Sequence, residues 1–210
     1  MVGEGGNLRM AQLGRVEYAL AGGRVNTDSI DNSGGVHSSA REVNIKIPLN
    51  GLMQGGSLTR DKRDPLLARM TDDLANAVLY DNYVQSLAIS LLEKDAPQRL
   101  GEHADLIRLL ERDGLITRAV EYLPDDEAMT ERRTRGKGLT RPELSMLVSW
   151  SKISLFDAML KSEVPDDPFF ERDLLSYFPA ELVKKYREPL VQHRLRREIV
   201  ATILSNAVVN

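Results

Sequence analysis

The sequence predicts a mostly α-helical protein: a short mixed α/β stretch over residues 1–50, then an all-helical region over residues 65–210. Three observations carry this. Beyond Asp64, apolar residues recur at three- and four-residue spacing through most of the chain, as amphipathic helices require. Residues 51–64 (GLMQGGSLTRDKRD) are glycine-rich, polar and aperiodic, which reads as a linker. Upstream of them, Gly22-Gly23 and Gly34-Gly35 bracket a short run from Val25 to Ile30 that reads as a strand.

Taken in order, Asn7 is expected to cap a helix over 8–21, with Leu13, Val16, Ala19 and Leu20 at helical spacing and Gly22-Gly23 as its stop. Asn32-Ser33-Gly34-Gly35 reads as a loop, and Ser38 or Ser39 as the cap of a helix carrying Val43 and Ile47, with Pro48 near its end. Asp64-Pro65 then reads as a cap with proline at the first helical position. The helix behind it is expected over 66–93, either bent or spanning the domain, with Leu67, Met70, Leu74, Val78, Tyr80, Val84, Leu87 and Leu91 as its apolar positions. Shorter helices follow over 100–111 and 115–123, ended by Gly114 and Pro124. The charged stretch 125–138 reads as solvated helix and loop. Thr140-Arg141-Pro142-Glu143 is a strong helix start, a threonine cap with glutamate three residues on. Its helix has Leu144, Leu147, Val148, Leu155 and Phe156 on one broad face. Pro165-Asp166-Asp167-Pro168 breaks that helix, Pro179 opens another, and a last one is expected over 191–209.

Composition excludes several function classes. There are no cysteines, so disulfides, thiolate catalysis and cysteine zinc sites are out. His37, His103 and His193 lack metal-ligand spacing, and no metal site is assigned. A net charge of −3 argues against a nucleic-acid partner, and no apolar run approaches a membrane span. The N-terminus lacks the basic and apolar regions of a signal peptide, so a cytoplasmic location is expected. Val2-Gly3-Glu4-Gly5-Gly6-Asn7 reads as a strand end entering a glycine turn, so the chain is expected to be a piece of a longer protein.

The chemistry-bearing stretch is Asn32 to Ser39. Glycine amides and serine hydroxyls beside a helix start can bind a carboxylate, although a plain turn and cap has the same composition. It has no G-x-G-x-x-G or Walker frame. The paired acids Asp72-Asp73, Asp125-Asp126 and Asp166-Asp167 sit where helix starts are expected, which explains them without catalysis. His193-Arg194-Leu195-Arg196-Arg197 reads as a solvated basic face. Two other functions fit the pattern: a non-enzymatic helical interaction or regulatory module, and a nucleic-acid binder using Arg132, Arg133, Arg135, Lys137, Arg141, Arg194, Arg196 and Arg197.

Ordered motifs add a resemblance. Gly3-Glu4-Gly5-Gly6-Asn7, Gly22-Gly23-Arg24-Val25-Asn26-Thr27-Asp28 and Asn32-Ser33-Gly34-Gly35-Val36-x-x-Ser39-x-x-Glu42 resemble the end of the coenzyme-binding domain of glutamate dehydrogenases. Further stretches are similar to the large bacterial NAD-specific type: Asn26-Thr27-Asp28-x-Ile30-Asp31-Asn32, Glu42-Val43-Asn44-Ile45-Lys46, Leu139-Thr140-Arg141-Pro142-Glu143-Leu144, Pro165-Asp166-Asp167-Pro168 and His193 to Ile199. The resemblance covers essentially the whole chain. It implies that residues 1–50 end a Rossmann-like NAD-binding domain and that 65–210 form an all-α C-terminal domain. It also implies oxidation of L-glutamate with NAD to 2-oxoglutarate and ammonium, in a homo-oligomer. Asn7 and Asn32 would face the cofactor, and Ser39, Val36, Gly34 and Gly35 the substrate. No catalytic residue is assigned, because the family's catalytic lysine, aspartate and phosphate-binding turn match nothing in this sequence. The isolated chain is therefore expected to be inactive, with the rest of the parent chain as its partner. Ser33 replaces an alanine, and His37 stands where large-type members often carry an acid.

Overall fold

A computed structural model describes every residue except Glu4, Asn7 and Leu8. The described residues form twelve α-helices, two single 3-10 turns and no strand. The short strand expected over 25–30 is instead extended chain running into a helix, and no α/β layer forms among the described residues. A strand needs neighbours to complete its ladder. Here Val2 N–H donates to Arg24 O at 2.8 Å, and no ladder extends from that bond. Thr27-Asp28-Ser29 is a better helix start than a strand, and the carbonyl of Thr27 accepts from Ile30 and Asp31.

The chain divides into two compact units, one of Met1–Ser33, Tyr83–Ser154 and Val209–Asn210, the other of Gly34–Asn82 and Leu155–Val208. In the first, α1 (Gln12–Leu20) buries Val16 and ends as expected in a left-handed glycine, Gly22 at φ 88°. Gly23 N–H reaches back to Tyr18 O and Gly22 N–H to Ala19 O, completing a Schellman end. The one-turn α2 (Asp28–Asp31) follows. The core comes from later elements: α6 (Leu100–Arg112), α7 (Arg118–Glu121), α8 (Asp126–Thr134) and the start of α9 (Arg141–Leu160). Leu100, Ile107, Leu110, Leu123, Met129, Leu144 and Leu147 pack together there, each buried. Asp125 caps α8 by accepting from Ala128 N–H at 2.8 Å. The stretch 125–138 is not wholly solvated, because Arg132 is drawn inward by Glu143.

In the second unit α3 (Ser33–Gln54) is a single 22-residue helix that carries Pro48 in its interior. The 51–64 stretch is a tight junction: α3 continues through Gln54, Gly56 turns the chain at φ 73°, buried Leu58 anchors it, and α4 (Arg60–Arg69) follows. The helix thus opens behind Thr59, with Pro65 inside it and not at its start. The expected 66–93 helix is two, because Thr71-Asp72-Asp73 begins a new one, α5 (Thr71–Asp95). Val78, Gln85, Ala88 and Ile89 are its buried positions, whereas Tyr80, Leu87 and Leu91 are exposed. Beyond α9 come α10 (Glu171–Ser176), α11 (Ala180–Val191) and α12 (Arg196–Val209). Pro189 in α11 cannot bond four residues back, and the helix kinks at Tyr186. The core of this unit is Ile45, Leu49, Leu66, Met70, Leu174, Phe178, Leu182, Leu190, Ile199 and Val200.

The basic run 193–197 is only partly a solvated face: Arg194 is exposed, whereas His193 and Arg197 are tied into the protein. His193 is buried; its Nδ1 accepts from Leu195 N–H at 3.0 Å, and its Nε2 lies 3.0 Å from Asn44 O. Arg197 donates to the carbonyls of Leu160 and Ser162, both at 2.9 Å, and pairs with Asp166. The two stretches Glu42–Lys46 and Pro165–Pro168 therefore each meet the His193–Ile199 stretch.

Candidate functional site

The corner expected to be a glycine loop is a helical bend. A single residue, Asn32, separates α2 from α3, so Gly34 and Gly35 lie in the first turn of α3. Ser33 takes the position that Ser38 or Ser39 was expected to hold. Its hydroxyl donates to Ile30 O at 2.8 Å and accepts from Gln85 Nε2 at 3.2 Å. Gln85 in turn accepts from Lys152 Nζ at 2.8 Å. Small polar residues favour helix starts by bonding nearby backbone. Of the serines here, the first in sequence does so with α2 already formed behind it.

Each sequence-predicted residue then has a definite place. Asn7 lies outside the described residues. Asn32 closes α2, its N–H donating to Asp28 O at 2.8 Å, and is half-buried. A Cβ on Gly34 would sit 3.4 Å from Asn82 Nδ2 and 3.8 Å from Val78 Cγ1, so this glycine permits close approach to α5. Gly35, Val36 and Ser39 lie on α3, with Val36 65% exposed. Ser39 lies past the first turn, so its backbone N–H belongs to the helix ladder. It presents its hydroxyl alone, not the combined backbone and hydroxyl donation expected of a serine at a helix start. Ser38 faces back onto its own helix, its hydroxyl on Gly34 O at 2.5 Å.

His37 points elsewhere. Its Nδ1 lies 4.0 Å from Asp81 Oδ2, the carboxylate that also takes Arg41 Nη2 at 2.9 Å. Arg41 donates to Tyr177 O at 2.8 Å and sits 4.5 Å over the Tyr177 ring. These groups line a cavity of about 590 Å³ within the second unit, together with Asn76, Phe178 and Asn206. His37 thus belongs to an Asp81–Arg41 cluster and not to the Val36–Ser39 face.

Sequence reasoning missed the buried polar groups behind the corner, above all Arg141. It is 8% exposed; its Nε donates to Asn26 Oδ1 at 2.6 Å, and its Nη1 to Ser90 Oγ and Glu93 Oε2, both at 3.0 Å. The available signal was that the 26–32 and 139–144 stretches both carry family-like residues. Arg132, Arg141 and Arg197 all bond within the protein, which removes them from any phosphate-binding face. Among the described residues no group of acids and histidines could hold a metal, and no helix is long and apolar enough to cross a membrane.

Chemically, the stretch offers in sequence order a carboxamide at Asn32, an apolar side chain at Val36 and a hydroxyl at Ser39. No acid–base pair stands among them. A carboxamide and a hydroxyl can hydrogen-bond a polar small molecule, and neither supplies an acid or a base. Comparison with known proteins specifies the class. Residues 1–92 match the family described as bacterial NAD-glutamate dehydrogenase, catalytic domain, and residues 136–210 match glutamate dehydrogenase, C-terminal. Over 210 residues, all of this chain, it is 50% identical to an NAD-specific glutamate dehydrogenase of Pseudomonas aeruginosa, 47% to one of Halomonas elongata and 41% to one of Mycobacterium tuberculosis. The chain belongs to the bacterial NAD-specific glutamate dehydrogenase family. It spans 13% of the length of each of these relatives.

Proposed function

We propose that this chain supplies one wall of the glutamate and nicotinamide cleft of an NAD-dependent glutamate dehydrogenase, and is inactive on its own. In this reading residues 1–50 end the coenzyme-binding domain, with the Val2–Arg24 backbone bond as the edge of a sheet completed by other parts of a longer polypeptide. Residues 65–210 form an all-helical C-terminal domain. The observation that carries the proposal is the exposure of Val36 on α3, with Ser39 one turn on and Asn32 just before the helix, in a stretch that keeps the family order.

The roles follow from side-chain chemistry. Ser39 Oγ–H donates to the side-chain carboxylate of glutamate, and Val36 packs on its methylenes. Asn32, its backbone held by α2, presents a carboxamide suited to the amide of nicotinamide. The described residues fit only that end of NAD; nothing in the sequence matches a phosphate-binding turn. NAD, when bound, supplies the hydride acceptor.

The test is a chimera in which this chain replaces the matching 210 residues of the Pseudomonas aeruginosa relative. NAD-dependent glutamate oxidation is expected from the chimera and not from the isolated chain. A hydrogen bond to a charged group contributes about 1.5–3 kcal/mol, so Ser39→Ala should raise the KM for glutamate by roughly 10- to 100-fold. An inactive chimera, or an unchanged KM in the variant, would count against the reading.

A further inference from the structure

The first unit holds a buried cation where local physics disfavours one. Arg141 is the first residue of α9, and a positive charge in the first turn of a helix opposes the helix dipole. It is also 8% exposed, so its burial needs compensation by partners. Glu93, on α5, supplies the countercharge at 3.0 Å, and Ser90 Oγ and Ser86 O take further N–H groups at 3.0 and 3.3 Å. Its Nε–H goes to Asn26 Oδ1 at 2.6 Å, 115 residues away in sequence.

Asn26 is where this cation reaches the candidate site. Its Nδ2 donates to Asp31 Oδ1 at 2.7 Å, tying the extended segment before α2 to the last residue of that helix. A four-residue helix has no stability of its own. It is held by this clamp and by the buried side chains of Val25 and Ile30. The next residue is Asn32, whose N–H bonds to Asp28 O within the same turn. Two side-chain hydrogen bonds therefore link the guanidinium of Arg141 to Asp31, the residue that precedes Asn32.

We infer that Arg141 is a positioning residue for Asn32: the segment matching the family's C-terminal part sets the geometry of the nicotinamide end of the cleft through Arg141, Asn26 and Asp31. This rests on the dehydrogenase reading for its consequence in catalysis, and on the hydrogen bonds alone for its consequence in structure. It also gives the helical region a role in the chemistry without any of its residues touching substrate. Displacement of a reacting partner by about 1 Å lowers turnover on the order of 100-fold.

Two arms test it. In the 210-residue chain, amide hydrogen exchange is measured for wild type, Arg141→Lys, Arg141→Gln and Asn26→Leu. Faster exchange over residues 26–33 in all three variants, with residues 155–208 unchanged, is expected. Asn26→Leu leaves Arg141 with Glu93 and Ser90, so it separates the clamp from the stability of α9. In the chimera, the same variants should lower kcat by roughly 10- to 100-fold. They should also raise the isotope effect on kcat with glutamate deuterated at Cα, as hydride transfer becomes slower than other steps. A merely smaller fraction of folded enzyme would lower kcat and leave the isotope effect where it was. Wild-type exchange over 26–33 in Asn26→Leu and Arg141→Lys, or a fall in kcat at constant isotope effect, overturns the proposal. A wild-type chimera without activity overturns the dehydrogenase reading instead, and the exchange arm still decides whether Arg141 holds this turn.

Discussion

His193 donates to the one carbonyl that Pro48 leaves without a helical partner. Proline has no N–H, so in α3 the carbonyl four residues before Pro48, that of Asn44, loses its ladder bond. His193 Nε2 lies 3.0 Å from that oxygen, while Nδ1 accepts from Leu195 N–H, which sets the neutral tautomer with the proton on Nε2. The imidazole thereby repairs a helix defect. It also explains why a proline is tolerated in the middle of a 22-residue helix.

This relationship predicts a non-additive pair. His193→Phe leaves the half-buried Asn44 carbonyl without its donor, and a lost partner of that kind costs about 1–3 kcal/mol. In a Pro48→Ala background the carbonyl regains a backbone N–H from position 48, so His193→Phe should cost measurably less. Urea unfolding of the four proteins gives the coupling. Equal costs in both backgrounds would show that the histidine does not serve that carbonyl.

Arg132 and Glu143 give a second prediction. Their pair is bidentate, Nη1 to Oε2 at 2.6 Å and Nη2 to Oε1 at 2.8 Å, and Glu143 is 1% exposed. Glu143 also takes Thr140 N–H and Thr140 Oγ1–H, both at 2.6 Å. Removing one partner of a buried pair strands the other, at about 3–5 kcal/mol. Arg132→Met should therefore lower the melting temperature by many degrees, and Arg132→Met with Glu143→Gln by less than the single change. A single-variant melt indistinguishable from wild type would refute the pairing.

Gly138 makes a steric prediction. A Cβ there would lie 2.4 Å from the backbone carbon of Ala96 and 2.6 Å from Pro97 N, closer than atoms can approach. Since the obstacle is backbone, Gly138→Ala must push two segments apart, which costs about 1–3 kcal/mol. Gly101→Ala, whose Cβ would meet only the end of the Arg133 side chain at 4.0 Å, is the contrast and should be near neutral. Thermal melts of the two variants check this directly.

His103 predicts a pH dependence. It is 6% exposed, and neither ring nitrogen has a hydrogen-bond partner among the described residues. Burial, with a smaller contribution from Arg99, pushes its pKa below the usual 6.5. His193 is lowered too, burial outweighing its bond to Asn44. The unfolded chain then binds protons that the folded one refuses, so stability is full above about pH 6.5 and falls as pH drops below it. His103→Leu should stabilise the protein at every pH, and more at mildly acidic than at mildly alkaline pH. Wild-type stability that is flat between those conditions would contradict it.

Much of the helical frame was legible in the residues. The Thr140–Glu143 start, the Gly22 stop and the Asp125 cap are local, depending on groups within a few residues of each other, and each stands as expected. The 25–30 strand and the single 66–93 helix failed for the same kind of reason. Their β-branched and apolar content outweighed, on paper, the helix starts Thr27-Asp28-Ser29 and Thr71-Asp72-Asp73 embedded in them. The face of α5 was misassigned because Gln85 is buried and Tyr80, Leu87 and Leu91 are not, and hydropathy alone cannot see a buried amide held by Lys152 and Ser33.

By itself the sequence determined the family, a few helix ends such as the Gly22 stop and the Thr140 start, and the identity of the candidate residues Asn32, Val36 and Ser39. Those depend on composition and order along the chain. What only the tertiary structure decided is which charged groups are buried and against what. Arg141 meets Asn26, His193 meets Asn44, Arg132 meets Glu143, and His37 turns to Asp81. Each of these pairs is distant in sequence or set by packing, and the cost of desolvating a charge is settled only once its neighbours are in place.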